Sequence, residues 1–109
     1  MARNTPELIT VTIADGAVHT LSDLLSAIDA DIPTKCCQLG IQLDKDAGAN
    51  GLLIGNPATL TTSIYGRRLL ATQAFDMGPV ESNLLRTDQT ALLLEGGAPL
   101  DVHIFMLTR

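Results

Sequence analysis

Cys36 and Cys37 carry the most reactive side chains of this sequence, and they are its only cysteines. A cysteine thiolate can act as a nucleophile, form a disulfide or bind a metal ion. Neighbouring residues of a strand point to opposite faces, so a disulfide between these two would close a strained ring. Two thiols with no further Cys or His nearby are also too few for zinc. We therefore expect one buried and one outward-facing thiol in a reducing environment.

The remaining nucleophiles and bases show no catalytic spacing. His19 and His103 lie far apart in the chain, which favours separate surface positions over a shared metal or catalytic site. No serine occupies the G-x-S-x-G setting of an activated nucleophile. The serines considered are Ser22, Ser26, Ser63 and Ser82. We therefore expect a protein that is not an enzyme and that needs no cofactor.

The charge of the chain argues against nucleic acid as a partner. Its net charge is −5 and its pI is near 4.6, whereas phosphate binding requires a basic face. The acidic pairs Asp29 with Asp31 and Asp44 with Asp46 could bind calcium, but no Glu follows either pair at EF-hand spacing. We interpret both pairs as solvated loop charge and expect no metal site.

The sequence also predicts neither a membrane span nor an export signal. No apolar stretch reaches the 18 residues that a spanning helix needs. The first six residues lack the apolar centre of a signal peptide. We expect no contact with a membrane.

The spacing of apolar residues predicts a mainly β protein. Leu8 to Ile13 alternates with period two, as do the segments from about Cys36 to Leu43 and from Leu100 to Leu107. Shorter strands are predicted at 52–55, 72–77 and 91–94, the first of them pairing back onto 36–43. Asn50-Gly51 and Gly78-Pro79 supply the turn chemistry between strands.

One segment has helical spacing. Leu21, Leu24, Leu25 and Ile28 fall at i, i+3, i+4 and i+7, and Thr20 with Asp23 resembles a capping box. We predict a small antiparallel β-sandwich or compact barrel with one short helix at about 20–29. Residues 1–7 are predicted to form an extended arm, and residues 8–109 a single domain with the helix over one open end.

The order of elements from Leu39 onward resembles small virion proteins of tailed bacteriophages. The motifs that carry the resemblance cover roughly the last two-thirds of the chain. They are the strand Leu39-Gly40-Ile41-Gln42-Leu43, the loop ending Asn50-Gly51, the strand ending Gly55-Asn56, Tyr65-Gly66 before a Leu-rich segment, and the last strand after Ala98-Pro99.

The resemblance implies a capsid decoration or cement protein that binds the outer surface of the assembled capsid. Its partners would be the major capsid protein and further copies of itself, with a trimer favoured, and it would reach the virion from the host cytoplasm. Another virion component, such as a tail, collar or head-fibre base subunit, is the alternative. A sugar-binding module is disfavoured because the chain has no Trp and a single Tyr.

Two segments are the candidate contacts with a partner. The first is the arm, where the residues expected to reach a neighbour are Arg3, Asn4, Thr5 and Pro6. The second is Arg67-Arg68, which is either a solvated turn with its side chains on opposite faces or a site that bonds a carboxylate of a partner.

Overall fold

The computed structural model describes residues 5–43, 51–70, 74–78, 80, 84–94 and 99–108. Within these residues the chain is mainly β, with one short α-helix and one 3-10 turn at Thr87–Gln89. The helix, α1, spans Leu21–Ser26. The strands are β1 Thr5–Ile13, β2 Val18–Thr20, β3 Lys35–Cys36, β4 Gln38–Leu43, β5 Leu52–Gly55, β6 Arg67–Leu69, β7 Ala74–Met77, β8 Leu85–Arg86, β9 Ala91–Leu94 and β10 Leu100–Thr108.

The described strands form two four-stranded antiparallel sheets and a two-stranded one. The front sheet has the order β1-β10-β4-β7, and the back sheet has the order β2-β9-β5-β6. The small third sheet pairs β3 with β8. This arrangement confirms the sandwich that the sequence predicted. Each four-stranded sheet has two edges, so the architecture is not a closed barrel.

The core lies between the inner faces of the two large sheets. Alternate residues of β1, β4 and β10 point inward from the front sheet, as the period-two pattern predicted. The back sheet contributes inward residues from β5, β6 and β9 to the same buried cluster. The cluster includes Val11, Ile13, Leu39, Ile41, Leu43, Leu52, Ile54, Leu69, Leu92, Leu94, Leu100, Val102, Ile104 and Met106. Each fully buried aliphatic side chain contributes about 1.5 to 3 kcal/mol, which explains a stable core with few aromatics.

Helix α1 is shorter than the predicted 20–29 segment. Leu21 and Leu25 are buried in the main core, but Ile28 lies beyond the helix with 54% of its side chain exposed. Thr20 is the N-terminal flanking residue, and its side chain makes no capping hydrogen bond, so the capping-box prediction is wrong. The Leu21 amide instead donates to the Thr90 carbonyl at 2.8 Å, which ties the helix to the chain before β9. Among the described residues no helix has the length and apolarity to cross a membrane.

The first strand begins earlier than predicted. Thr5, Pro6 and Glu7 belong to β1 and pair with β10, with Thr5 opposite Thr108. The interpretation of these three residues as a free arm is therefore wrong. Proline is tolerated here because β1 is the edge strand of the front sheet as described. Arg3 and Asn4 lie outside the described residues.

The predicted pairing of 52–55 with 36–43 is also wrong. β5 pairs with β6 and β9 in the back sheet, while β4 lies between β10 and β7 in the front sheet. The chain therefore changes sheets between β4 and β5. Leu53 is fully buried on the far side of β5, in a second cluster with Leu60, Ala91 and Leu93. β5 is thus buried on both faces, which is why it lacks the alternation of a half-buried strand.

Candidate partner-binding surfaces

The arginine pair lies on a strand and not in a turn. Arg67 and Arg68 are both exposed and begin β6, whose next residue, Leu69, is buried in the core. Successive residues of a strand point to opposite sides, so the two guanidinium groups diverge. The Arg67 guanidinium carbon lies 5.4 Å from the centre of the Phe75 ring, and that of Arg68 lies 5.1 Å from the centre of the Tyr65 ring.

Arg67 connects the edges of the two sheets. It belongs to β6 at the edge of the back sheet, and Phe75 belongs to β7 at the edge of the front sheet. A guanidinium stacked on a ring keeps its N–H groups free to point sideways, and its orientation is restricted before any ligand arrives. Neither Arg67 nor Arg68 makes an ion pair with another described residue. Both guanidinium groups therefore retain donors for a carboxylate.

A groove of about 450 Å³ runs beside Arg67, and we call it the arginine groove. Its apolar lining comes from three strands, with Ile54 from β5, Phe75 and Met77 from β7, and Leu85 from β8. Ile54 is buried, whereas the other three side chains are only partly covered. The complete lining comprises Ile54, Gly55, Asn56, Gly66, Arg67, Phe75, Met77, Leu85, Arg86, Gln89 and Thr90. The groove can therefore accept an aliphatic side chain beside a charged rim.

Arg86 is a second basic residue that lines this groove. Arg86 bonds Asp88 at two points, with Nε to Oδ1 at 2.9 Å and Nη2 to Oδ2 at 2.7 Å. These hydrogen bonds raise the pKa of Arg86 and lower the pKa of Asp88, so both stay charged. Lys35 stands directly opposite Arg86 in the β3–β8 pair. One carboxylate thus faces two cations at this end of the groove.

The outer face of the front sheet is the second candidate surface. One row of directly opposed residues crosses all four strands, from Leu8 through Phe105 and Gly40 to Asp76. Leu8 is 77% exposed, and Phe105 is partly covered. A shallow groove of about 390 Å³ lies over this row, because Gly40 has no side chain to fill it. A Cβ atom on Gly40 would lie 2.5 Å from Oδ1 of Asp76, so that carboxylate leans over the glycine.

The next rows of the outer face are polar. Thr10 lies opposite His103, with its Oγ1 at 2.9 Å from Nδ1 of the ring. Thr12 donates a hydrogen bond of 2.6 Å to Oδ1 of Asp101 on the same face. Cross-strand pairs of this kind stabilise a sheet and also leave polar atoms at its surface. The outer face therefore carries an apolar pair, Leu8 and Phe105, beside rows of hydrogen-bonding side chains.

Both cysteines are buried, so the expectation of one outward thiol is wrong. Cys36 ends β3 and joins the main core, while Cys37 lies in the bend before β4. Because the chain bends between them, the alternation of a continuous strand does not apply. The Cys37 amide donates to the Leu107 carbonyl at 2.8 Å, and its Sγ lies 3.1 Å from the same oxygen. The two thiols are not bonded to each other.

The predicted contact residues lie on opposite sides of the sandwich. Thr5 and Pro6 belong to β1 at one edge of the front sheet, whereas Arg67 contacts β7 at its other edge. Three strand spacings separate these edges, which is about 14 Å. The described part of the proposed arm and the arginine pair therefore do not form one site.

The histidines and the described acidic pair occupy separate surface positions. His19 lies 2.7 Å from a carboxylate oxygen of Asp15. Hydrogen bonds from the Ala17 amide and from His19 lower the pKa of Asp15. Asp29 accepts a hydrogen bond from the Asp31 amide, as in a solvated turn. The residues that the structure describes contain no group of three or more potential metal ligands. Asp44 and Asp46 lie outside them.

Comparisons of the chain with protein-family models, with curated protein sequences and with solved structures find no match. The resemblance to phage virion proteins therefore stays an expectation drawn from the sequence.

Sequence reasoning singled out Arg67 but missed the apolar residues that form both grooves with it or across the sheet. Phe75 and Met77 were assigned to a strand, but nothing local indicates that this strand lies beside Arg67. Leu8 begins the first predicted strand, and the period-two pattern gives it no further role. Its side chain faces away from Ile9 and Val11, and an apolar residue at that polar-face position was the available signal.

Proposed function

We propose that this chain is a structural virion protein of a tailed bacteriophage that binds the outer surface of the assembled capsid and stabilises it. The order of motifs from Leu39 onward resembles such proteins, and the outer face of the front sheet presents the apolar pair Leu8 and Phe105 on neighbouring strands. The partner is the major capsid protein.

The exposed Leu8 is the observation that carries the binding role. An aliphatic side chain that is 77% exposed on a regular strand gains burial only when another molecule covers it. Phe105 stands directly opposite and extends the apolar area toward Gly40. The hydrogen-bonding rows beside it, with Thr10 and Asp101, provide the polar surround common in protein interfaces.

Co-sedimentation with capsid shells that lack the protein tests this proposal. The wild-type chain is expected to pellet with the shells at a fixed ratio of copies. Leu8→Asp is expected to weaken binding by about tenfold or more, because it introduces a charge that the interface must desolvate.

Ile28→Asp is the matched control. Ile28 is also a highly exposed aliphatic residue, at 54%, but it lies beyond α1 and not on the outer face. It is expected to bind shells like the wild type. Failure of the wild-type chain to bind any shell would reject the capsid role and favour a tail, collar or head-fibre position. Equal loss in the two variants would reject the outer face as the contact.

A further inference from the structure

The arginine groove combines features that a flat protein surface does not have. Its floor is apolar, formed by Ile54, Phe75, Met77 and Leu85, and its volume of about 450 Å³ accommodates a side chain or two. Arg67 and Arg86 both line it. These cations stand out in a chain with 12 acidic and 7 basic residues.

The two cations have different environments. Arg86 is engaged by Asp88, whereas Arg67 is stacked on Phe75 and has no ion-pair partner among the described residues. An arginine that is held by a ring and lacks a carboxylate is oriented to bond one from another molecule. Lys35, opposite Arg86, adds a further positive charge at that end.

The backbone beside the groove can also take part in binding. β6 and β7 are edge strands of the back and front sheets, and each pairs along one side only within the described residues. Edge strands present N–H and C=O groups that an extended chain can pair with. A segment lying along either edge would place alternate side chains toward the groove floor.

We propose that the arginine groove binds an extended acidic segment of a partner protein, in which a carboxylate bonds Arg67 and a neighbouring aliphatic side chain covers the apolar floor. Charge complementarity selects this occupant, because the described residues that line the groove include two arginines, Arg67 and Arg86, and no carboxylate. The identification of the partner as a capsid subunit rests on the proposed function, but the groove chemistry does not.

Fluorescence anisotropy with labelled peptides tests the proposal without any shell. The probe is Asp-Leu-Asp-Val-Asp, and the comparison peptide is Asn-Leu-Asn-Val-Asn. The acidic peptide is expected to bind, with an affinity that falls as salt rises, and the amide peptide is expected to bind at least about tenfold more weakly. Equal binding of the two peptides, or no binding of the acidic one, would overturn the proposal.

Arg67→Gln and Arg68→Gln form a matched pair of variants. They remove the same charge from adjacent exposed positions of one strand, but only Arg67 lines the groove. Arg67→Gln is expected to weaken binding of the acidic peptide about tenfold, and Arg68→Gln less than about twofold. Arg67→Lys keeps the charge without the two-point bond, so its affinity for the acidic peptide is expected to lie between those of Arg67→Gln and Arg68→Gln.

Three results would count against this assignment. An equal loss of affinity for the acidic peptide in Arg67→Gln and Arg68→Gln would indicate general charge attraction. Retained peptide binding in Arg67→Gln would remove Arg67 from the contact. A wild-type oligomer that becomes a monomer in Arg67→Gln would show that a second copy of this chain fills the groove. The peptide measurements contain no capsid shells, so they can fail or succeed independently of the co-sedimentation experiment that tests the proposed function.

Discussion

Burial determines the acid–base behaviour of Cys36. Its side chain is fully enclosed in the main core, and loss of hydration raises the pKa of the thiol from 9.0 to about 11, with a further contribution from Cys37. The unfolded chain therefore releases this proton at a lower pH than the folded chain. The contribution of Cys36 to stability is fully present below pH 9 and is lost as the pH rises through 11.

We predict that titration of the Cys36 thiol lowers the free energy of unfolding by about 2 kcal/mol between pH 8 and pH 10.5. Urea denaturation at the two pH values measures it. Cys36→Ala removes the titrating group, so its stability is expected to be lower at pH 8 but to fall less on raising the pH. Cys37→Ala keeps Cys36 and its burial, the larger cause of the raised pKa, so most of the fall is expected to remain in this control. Identical pH dependence in the wild type and Cys36→Ala would contradict the account.

Residue-level expectations were reliable where they depended on strand alternation alone. The inward positions of β1 and the outward positions of Asp101 and His103 in β10 were predicted correctly. The outward position expected for one of the two thiols is wrong, because the chain bends between β3 and β4 and leaves both thiols buried. The bend is held by the hydrogen bond from the Cys37 amide to the Leu107 carbonyl. Leu107 is distant in sequence, so the local pattern of residue types does not predict the bend.

At the level of elements, the turn after β7 depends on a glycine. Gly78 has a φ of +90°, and a Cβ atom there would collide with the Cys37 carbonyl oxygen. That same oxygen accepts a hydrogen bond of 2.8 Å from the Val80 amide, so it is not free to move away. The turn thus joins the end of β7 to the chain just before β4.

We predict that Gly78→Ala lowers the free energy of unfolding by about 1 to 3 kcal/mol, because alanine is strained at this φ and clashes with backbone. Urea denaturation again gives the value. Gly66→Ala is the control, since Gly66 has no positive φ and its nearest neighbour, the Ile54 carbonyl oxygen, lies 3.4 Å from the added Cβ. For Gly66→Ala the free energy of unfolding is expected to fall by less than about 1 kcal/mol. Equal losses at the two sites would show that the turn tolerates a side chain.

The long strands were predictable and the short ones were not. β1, β4 and β10 carry enough residues to display period two, and α1 was recognised from Leu21, Leu24 and Leu25. β2, β3 and β8 have two or three residues, too few to show a period. Their strand geometry comes from pairing with segments distant in sequence, as for Cys36 opposite Leu85. Strand order likewise followed from tertiary packing, which placed β5 away from β4.

At the level of the whole molecule, the sandwich separates two surfaces of different chemistry. The outer face of the front sheet carries the apolar pair Leu8 and Phe105 with polar rows beside it. The arginine groove lies at the β6 and β7 edges and is bordered by Arg67. A domain with two such surfaces can contact two neighbouring subunits at once, and linked contacts strengthen attachment beyond either one alone.

Sequence reasoning predicted the sandwich but only part of these surfaces. Arg67 was singled out because it is basic in an acidic chain, and its placement beside Phe75 required the packing of two sheets. The types of Thr5 and Pro6 favour an extended chain, which fits a free arm as well as an edge strand, and the pairing with β10 decides for the strand. The partner's identity depends on the partner's own surface, so the proposal of a capsid partner comes only from the resemblance to virion proteins.

The most direct test of the account is the disruption temperature of capsid shells heated with increasing amounts of this protein. A ligand that binds only the assembled shell shifts the equilibrium toward assembly, so the disruption temperature is expected to rise and then level off when all sites are filled. Leu8→Asp at the same concentrations is expected to give little or no rise. An unchanged disruption temperature with shells saturated by the wild-type protein would contradict a stabilising role.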